Sequence, residues 1–288
     1  MKKRNRSAIF FMLPALLVYC CVVVLPALYT AFLSLFKWNG LGEKKFVLFR
    51  NYVNLFTTDA VFKTALKNNI IWIILTLLFT MTIALLLAML LNRKFKGRVV
   101  YRAIFYFPYM LSWIVIGIIW KWIYNPNIGF LDSLLNLLGI QTSGAGWLSD
   151  PKIALYCVFA AALWQGVGQP MLYFLAGLQG IPQELYEAAA VDGASKVATF
   201  FNVTIPQLKE TFVIVLATLV IASLKVYDVV YVMTNGGPVN STQTLASYMY
   251  AQTFSYSNLG TGSAIVVVMM VMMMVIIIPY VLYTTKDE

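Results

Sequence analysis

Long apolar runs separated by short polar segments dominate the pattern of this chain. The mainly apolar runs are residues 8–36, 70–91, 103–123, 153–178, 212–233 and 264–283. About 20 apolar residues in a helix are enough to cross the hydrocarbon core of a bilayer. The pattern therefore predicts an all-α, polytopic membrane protein with six transmembrane helices.

Composition and charge narrow this prediction. The chain is 61% hydrophobic and only 11% charged, and its net charge is +10. Such a charge could indicate a nucleic-acid ligand, but the basic residues cluster in the N-terminal tail and at residues 92–102, beside apolar runs, where topology signals belong. The positive-inside rule places both clusters in the cytoplasm. We expect no nucleic-acid binding, and a multi-pass membrane protein with both termini cytoplasmic.

One loop disagrees with this orientation. Residues 37–69 would face outward, yet they carry Lys37, Lys44, Lys45, Arg50, Lys63 and Lys67. These charges are spread over a longer segment and are diluted by acidic residues, so we keep the predicted orientation.

The residue types limit the chemistry. The chain has no histidine, which removes His-based acid–base catalysis and His metal ligation. Cys20, Cys21 and Cys157 lie inside apolar runs, and we expect them to be small buried apolar residues. No Gly-x-x-x-x-Gly-Lys-[Ser/Thr] sequence occurs, so the chain is not expected to hydrolyse ATP. We predict neither catalytic nor metal-binding residues.

The segment 180–210 is a polar island between two apolar runs. Pro182 suits the first turn of a helix, and Glu184 suits its positive N-terminal end. Gly193 can adopt the left-handed conformation that ends a helix, and a second helix over 195–202 is expected to stop before Pro206. We call this predicted helix–turn–helix the knuckle. Physical reasoning leaves two interpretations open, a docking surface for a soluble partner and an ordinary capped hairpin.

The knuckle resembles the EAA loop of permease subunits in binding-protein-dependent ABC importers. That loop has Glu-Ala-Ala followed by Gly and, further on, Ile-x-Leu-Pro. The chain matches at Glu187, Ala188, Ala189, Gly193 and Pro206, while Val203 and Ile205 are mild departures. The resemblance implies that these matching residues couple the chain to an ATPase subunit, together with Asp192 and Ala194 in the same turn.

Two other segments are similar to carbohydrate permeases of the maltose and glycerol-phosphate importer type. They are residues 227–238 with the following Ser241-Thr242, and residues 50–56. The similarity covers nearly the whole chain and indicates the first of the two unlike permeases in those systems. It implies the type I importer (MetI-like) permease fold and a location in a bacterial-type inner cell membrane. An N-terminal anchor with the first outer loop would occupy 1–65, and the permease core with its coupling loop at 180–210 would occupy 66–283.

The resemblance implies a transport subunit and not an enzyme. Such a permease forms half of the pathway for a sugar or oligosaccharide, beside a second homologous permease. Two ATPase subunits bind ATP and Mg, an extracytoplasmic sugar-binding protein delivers the substrate, and this chain binds no cofactor. The alternatives are an ATP-independent channel or ion-coupled carrier, an ABC permease for a polyol or sugar phosphate, and a membrane-embedded enzyme.

Polar side chains in the fourth run are candidates for the substrate path. Gln165 and Gln169 are four residues apart and share a helix face, and Trp164 could stack on a sugar. Pro170 and the glycines before it predict a broken helix, which is tolerated where it lines a cavity or packs on protein. Hydrogen bonding between helices is the alternative role of the amides.

The segment that resembles carbohydrate permeases supplies further candidates. We include Tyr227, Asp228 and Asn235 in the substrate path. For Asp228 an ion pair with Lys225 at the helix exit is an alternative role. Aromatic residues of the third run, such as Tyr109 and Trp113, would line the same path or anchor the membrane interface.

Overall fold

The computed structural model describes the backbone of residues 2–140 and 146–285, and the side chains of residues 11–140 and 146–282. Helices dominate, and the β-structure within these ranges is one short antiparallel hairpin. The chain forms two compact units. One contains Met1–Ala60 and Tyr248–Val271, and the other contains Val61–Ser247 and Met272–Glu288. The predicted division of the chain at residue 65 stays a prediction.

The elements of the first third of the chain lead into the second apolar run. They are α1 (Lys2–Tyr19), a π-helical turn (Cys20–Val24), α2 (Leu25–Leu33), β1 (Phe36–Lys37), β2 (Lys45–Phe46), α3 (Arg50–Thr57), α4 (Ala60–Leu75), a second π-helical turn (Thr76–Thr80) and α5 (Met81–Asn92).

In the described middle of the chain, the regular secondary structure consists of helices joined by turns. Its helices are α6 (Arg98–Met110), α7 (Trp113–Ile123), α8 (Phe130–Leu137), α9 (Ala154–Gly166), α10 (Gly168–Gly180), α11 (Gln183–Val191) and α12 (Lys196–Thr199).

The last third begins with a third π-helical turn (Phe200–Thr204). It continues with α13 (Ile205–Gln207), α14 (Lys209–Leu224), α15 (Asp228–Met233), α16 (Leu245–Tyr250), a fourth π-helical turn (Ala251–Ser255) and α17 (Leu259–Thr285).

Three helices are long and apolar enough to cross a membrane. They are Phe11–Leu33, Ala60–Asn92 and Leu259–Leu282, and they correspond to the first, second and sixth predicted spans. Two bent helix pairs raise the count to five if each pair is one span. The predicted fourth span is the pair α9 and α10.

The hydrogen bonding of the α9–α10 pair continues across Val167. The Val167 N–H donates to the Leu163 carbonyl at 3.1 Å, and the Met171 N–H donates to the Val167 carbonyl at 3.2 Å. Pro170 has no N–H, so one bond of the ladder is missing there. The predicted broken helix is therefore only a small irregularity at Val167, in a helical path that continues from α9 into α10.

The second span begins earlier than predicted. The helix that begins at Ala60 continues to Asn92. No glycine or proline interrupts this sequence. Phe62 and Ala65, in its first two turns, are fully buried.

The third predicted span is not one straight helix. α6 and α7 meet at an angle of 99°. Leu111 is extended, and the Ser112 side chain caps α7 by accepting a hydrogen bond from the Val115 N–H at 3.3 Å. An extended residue followed by an N-cap starts a new helix in a new direction.

The fifth predicted span is also interrupted. α14 ends at Leu224, and α15 begins only at Asp228, so the expected continuous helix over 212–233 is wrong. The carbonyl of Val226 in the break accepts a hydrogen bond from the Thr244 hydroxyl at 2.8 Å. This side chain lies far along the sequence, and it satisfies a backbone group that the helix no longer pairs.

The second unit has two hydrophobic clusters. One gathers residues of α9, α7 and α15 around Trp72 and Phe159, whose rings meet edge-on at 5.4 Å. The other joins α5, α10 and α14 around Phe174. Cys157 is buried as predicted, whereas Cys20 and Cys21 are exposed, because their π-helical turn has no buried residue.

In the first unit a short hairpin follows the first span. Phe36 pairs with Phe46, and Lys37 pairs with Lys45. The buried Asn51 amide donates to the carbonyls of Ser34 at 2.7 Å and Phe36 at 2.9 Å. This side chain therefore fixes the hairpin to α3.

Candidate functional site

The first helix of the knuckle begins as its sequence predicts. Pro182 takes the N-cap position with φ −57° and ψ 133°, and Glu184 lies in the first turn of α11. The Gln183 amide donates to the Glu187 carboxylate at 2.9 Å, one helical turn further on. A carboxylate in the first turn is favourable because the N-terminus of a helix is its positive end.

The helix ends in a Schellman motif. Gly193 has φ +73°, the left-handed conformation that the sequence predicts. The Ala194 N–H donates to the Ala189 carbonyl at 2.9 Å, and the Gly193 N–H donates to the Ala190 carbonyl at 3.1 Å. These are the two bonds that define the motif, with Asp192 as the C-cap. The turn between the two helices is thus fixed by backbone bonds.

The second helix starts as predicted and ends later. The Ser195 hydroxyl caps α12 by accepting from the Ala198 N–H at 3.2 Å. The helical path continues to Gln207 and does not stop before Pro206. Pro206 lies in the first turn of α13, after a π-helical turn, where its missing N–H is not needed.

The ends of the knuckle are anchored and its tip is exposed. Ile181, Phe200 and Ile205 pack against the cluster around Phe174, and the Tyr186 hydroxyl lies 3.3 Å from that of Thr204.

Neither α11 nor α12 has a buried residue. Apolar side chains stand in solvent there, with Val191 88%, Val197 66% and Phe201 62% exposed. A fixed loop that presents apolar side chains is a surface on which another protein can dock.

A small cavity lies elsewhere in the same unit. Its lining is mainly apolar but includes several polar side chains, for which we call it the polar cavity. Its volume is about 100 Å³. Its polar lining consists of amides, hydroxyls and aromatic side chains, namely Gln165, Gln169, Thr76, Thr80, Thr218, Ser223, Trp72, Tyr109 and Trp113. Among the residues that the structure describes, none with a charged side chain lines it.

Gln165 is the least satisfied polar side chain of this cavity. It is only 3% exposed. Its amide nitrogen donates long hydrogen bonds, of 3.4 Å each, to the carbonyls of Tyr109 and Leu111. Its side-chain oxygen is buried without a partner. A buried acceptor without a partner costs about 1–3 kcal/mol, so this oxygen is a natural acceptor for a ligand hydroxyl.

Gln169 is better satisfied, since its amide donates to the Tyr173 hydroxyl at 2.9 Å. Gly168, the residue directly before it, lets α10 approach α6 closely. A Cβ atom at Gly168 would lie 2.8 Å from the Phe105 carbonyl oxygen and 2.9 Å from the Tyr106 Cα. Gly166 has open space at the same atom. Because Gly168 has no side chain, the backbone of α6 can pack directly against the polar part of α10.

Most of the chain matches one known protein family. The family described as binding-protein-dependent transport system inner membrane component matches residues 80–285. The chain belongs to this family of ABC importer permeases. The permease is thus an inner-membrane, multi-pass component of a binding-protein-dependent transporter.

Individual relatives and one solved structure are also ABC transporter proteins. The permease is 36% identical to a probable ABC transporter permease protein of Pyrococcus horikoshii, over 97% of this chain and 96% of that protein. It is 35% identical to the trehalose/maltose transport system permease protein MalF of Thermococcus litoralis, over 88% and 85%. A bacterial ABC transporter structure involved in import of the acidic polysaccharide alginate matches with a TM-score of 0.82 and 22% identity, over 99% of this chain and 96% of that one. This structural match shows the MetI-like permease fold.

The structure separates the predicted substrate-path residues of the permease. Gln165 and Gln169 line the polar cavity. Tyr227 and Asp228 line a second cavity of about 260 Å³ together with Lys225. Both cavities share Trp113, Ala222 and Val226 and are therefore neighbours.

The other two predicted residues lie outside both linings. Trp164 is 41% exposed, and its ring meets that of Trp120 edge-on at 6.0 Å. The backbone N–H of Asn235 caps α15 by donating to the Val230 carbonyl at 2.9 Å. Asp228 is the first residue of α15 and Lys225 follows the end of α14, so the helical spacing assumed for their ion pair does not exist.

Several lining residues of the permease were not predicted. Thr76 and Thr80 of the second span are one turn apart, and that spacing of hydroxyls in an apolar run is a signal that sequence reasoning could have used. Trp72 gives no such signal, because aromatic residues are common in spans. In the part of the chain that the structure describes, no group of three or more acidic, Cys or His side chains could hold a metal ion.

Proposed function

We propose that this permease is one of two membrane subunits of an ATP-driven importer for an uncharged sugar or oligosaccharide. The name of the trehalose/maltose relative supports the carbohydrate class. A second, homologous permease would form the other half of the pathway, and an extracytoplasmic sugar-binding protein would deliver the substrate. Two ATPase subunits with ATP and Mg would supply the energy, and the permease itself would have no catalytic role.

The observation that carries the substrate class is the chemistry of the polar cavity. Ligand sites combine aromatic walls with a few polar groups that fix orientation. Here the polar groups are amides and hydroxyls, which exchange hydrogen bonds with sugar hydroxyls, and no charge is present to attract or repel an ion. Gln165 offers a buried oxygen without a partner.

The size of the cavity supports the two-permease arrangement. Sites for small molecules usually measure about 300–1,000 Å³. At about 100 Å³ this cavity holds only part of a sugar. A second permease facing it would supply the remaining wall.

The knuckle supports coupling to an ATPase. Its tip presents Val191, Val197 and Phe201 to solvent, while its backbone is fixed by caps at both helices. A rigid tip transmits a push to the spans, whereas a flexible tip would absorb it. Glu187 and Asp192 would contribute charges at the rim of the contact. This assignment places residues 180–210 in the cytoplasm, with both termini on the same side.

The cavity is tested by Gln165→Leu in the complete importer in proteoliposomes. The probes are maltose and a panel of other neutral sugars, chosen by calorimetry with the binding protein of the same importer. We expect ATP-driven uptake to fall by at least tenfold, since about 1.4 kcal/mol of lost interaction corresponds to a factor of ten. Gln179→Leu is the control, because Gln179 is exposed and lies outside both the cavity and the knuckle. Unchanged uptake by Gln165→Leu would remove this residue from the substrate path.

The knuckle is tested with two matched alanines of α11. Ala188 and Ala190 are both exposed, and they lie on opposite sides of the helix because successive residues turn by about 100°. We expect Ala188→Trp to abolish uptake and ATPase co-purification while the subunit still inserts, and Ala190→Trp to keep both. Full activity of a well-expressed Ala188→Trp importer would contradict docking at the knuckle.

Gly193 offers a second test, because a Cβ atom there meets nothing within 4 Å. Gly193→Ala therefore adds only backbone strain, of about 1–2 kcal/mol. Gly193→Pro cannot adopt the positive φ at all. We expect a graded loss of uptake, small for alanine and complete for proline, with both variants present in the membrane. Equal uptake by the two variants would argue against a rigid turn.

A further inference from the structure

The first unit has a basic groove that the proposed function leaves unused. Lys37, Lys45 and Arg50 line it, and none of its described lining residues is acidic. The groove has a volume of about 780 Å³, and its other polar walls are amides such as Asn54. These cations are half of the six that disagree with the predicted orientation of the chain. Their gathering in one groove calls for a physical reason.

The hairpin register sharpens this question. Lys37 and Lys45 are direct partners across β1 and β2. Like charges directly opposite each other destabilise an antiparallel pair. A bound anion between the two ammonium groups removes this repulsion, and Arg50 can add a bidentate contact to a phosphate.

The contacts of Lys44 indicate the level at which the groove lies relative to the membrane. The Lys44 ammonium is 2.9 Å from the Tyr29 hydroxyl and 4.5 Å from the centroid of the Trp38 ring. Tyr29 lies in the last turns of the spanning helix Phe11–Leu33. Tyr and Trp concentrate where spans meet the headgroups of a bilayer. The hairpin is therefore tied to the end of the span, at headgroup level.

The neighbouring helix α3 has the character of an interfacial helix. Phe49 and Val53 are one turn apart, and they are 66% and 55% exposed. Arg50 and Asn54 follow them in the sequence, so apolar and polar faces alternate around the helix. Helices with exposed apolar and basic faces lie in the plane of the membrane interface.

We propose that the groove binds the phosphate headgroup of an anionic phospholipid. Lys37, Lys45 and Arg50 surround the phosphate, while Phe49 and Val53 enter the boundary of the acyl chains. An acidic surface of a protein partner carries the same negative charge as a lipid phosphate. The hydrogen bond between Lys44 and Tyr29, however, places the groove at the level of the lipid phosphates. The basic residues of this loop thus anchor it to its leaflet, and they do not act as a topology signal.

Native mass spectrometry of the full chain tests the proposal. The probes are phosphatidylglycerol and phosphatidylcholine with identical acyl chains. We expect the wild-type chain to retain phosphatidylglycerol preferentially. The triple variant K37Q/K45Q/R50Q should bind phosphatidylglycerol roughly 100-fold more weakly, a factor of about five for each basic residue, with phosphatidylcholine unaffected. The control K67Q/K121Q/K152Q removes the same charge from exposed lysines outside the groove and should keep the preference.

Two further measurements keep the test decisive. If the triple variant does not fold, K45Q alone should lose about fivefold, and N54K, which adds a cation to the groove, should strengthen the preference. Equal retention of both lipids by the wild-type chain, or an unchanged preference in the triple variant, would overturn the proposal. So would a triple variant that keeps phosphatidylglycerol but no longer associates with the binding protein, since the groove would then belong to a protein partner.

Discussion

The contact between α6 and α10 can be tested with a single methyl group. A Cβ atom at Gly168 would lie 2.8 Å from the carbonyl oxygen of Phe105. Optimal contact between non-bonded heavy atoms begins at about 3.5 Å, so Gly168→Ala must push the helices apart by roughly 0.7 Å. Because the opposing atoms are backbone, no side chain can rotate away. Overpacking of this kind costs about 1–3 kcal/mol.

The same displacement reaches the polar cavity. Gln165 donates to the carbonyls of Tyr109 and Leu111 at the end of α6, and both distances are already 3.4 Å. A shift of roughly 0.7 Å would lengthen them beyond any hydrogen bond. We therefore expect Gly168→Ala to lower both the thermal stability of the importer and its uptake of sugar.

Gly166→Ala is the matched control for the stability part of this prediction, since Gly166 itself lines the polar cavity. Both variants gain up to about 1 kcal/mol of helix propensity, but Gly166 has open space at its Cβ position. The difference between the two melting temperatures therefore isolates the steric term. The assays are thermal unfolding of the purified complex and ATP-driven uptake in proteoliposomes. If Gly168→Ala melts with or above Gly166→Ala, the close approach of α6 and α10 is not a constraint and the reasoning fails.

Three further substitutions test other parts of the fold. Asn69→Ala removes the acceptor of a buried backbone N–H at 2.6 Å and should destabilise the chain by about 1–3 kcal/mol in thermal unfolding, whereas the exposed Asn127→Ala should not. Ser195→Ala removes a helix N-cap, worth about 1 kcal/mol, and should speed proteolysis of the knuckle; unchanged cleavage would deny the cap a role. Burial and the hydrogen bond to Asp59 raise the pKa of Tyr248, so its stabilising effect is complete below about pH 10 and is lost as the pH rises further. Tyr248→Phe should therefore show a smaller fall of melting temperature above pH 10, and an equal fall would refute this account.

The knuckle was predictable because local rules decide it. The helix start at Pro182, the turn at Gly193 and the cap at Ser195 each depend on residues within one or two turns of one another. Only the predicted end of the second helix, before Pro206, was wrong. There a π-helical turn before Pro206 allowed the helix to continue.

The cavity was only partly predictable because it depends on packing between helices. The amides of Gln165 and Gln169 stand out in an apolar run and were identified. Their neighbours Trp72 and Thr76 come from another span, and no local pattern brings them to the same place. The hairpin is a similar case, since each of its strands has two residues and the side chain of Asn51 holds it.

Three glycines show why the sequence alone gives roles to some residues and not to others. Gly193 is needed for its left-handed backbone conformation, which the sequence predicts because a helix ends there. Gly168 is needed because another helix passes within contact distance, and Gly166 meets nothing at the same atom. Sequence reasoning treated Gly166 and Gly168 alike, as residues that loosen a helix. The need for a left-handed conformation at Gly193 can be inferred from the neighbouring residues. The steric need for glycine at position 168 depends on a helix that lies some 60 residues away in the chain, about ten times the usual loop length. Only the folded structure therefore distinguishes the two needs.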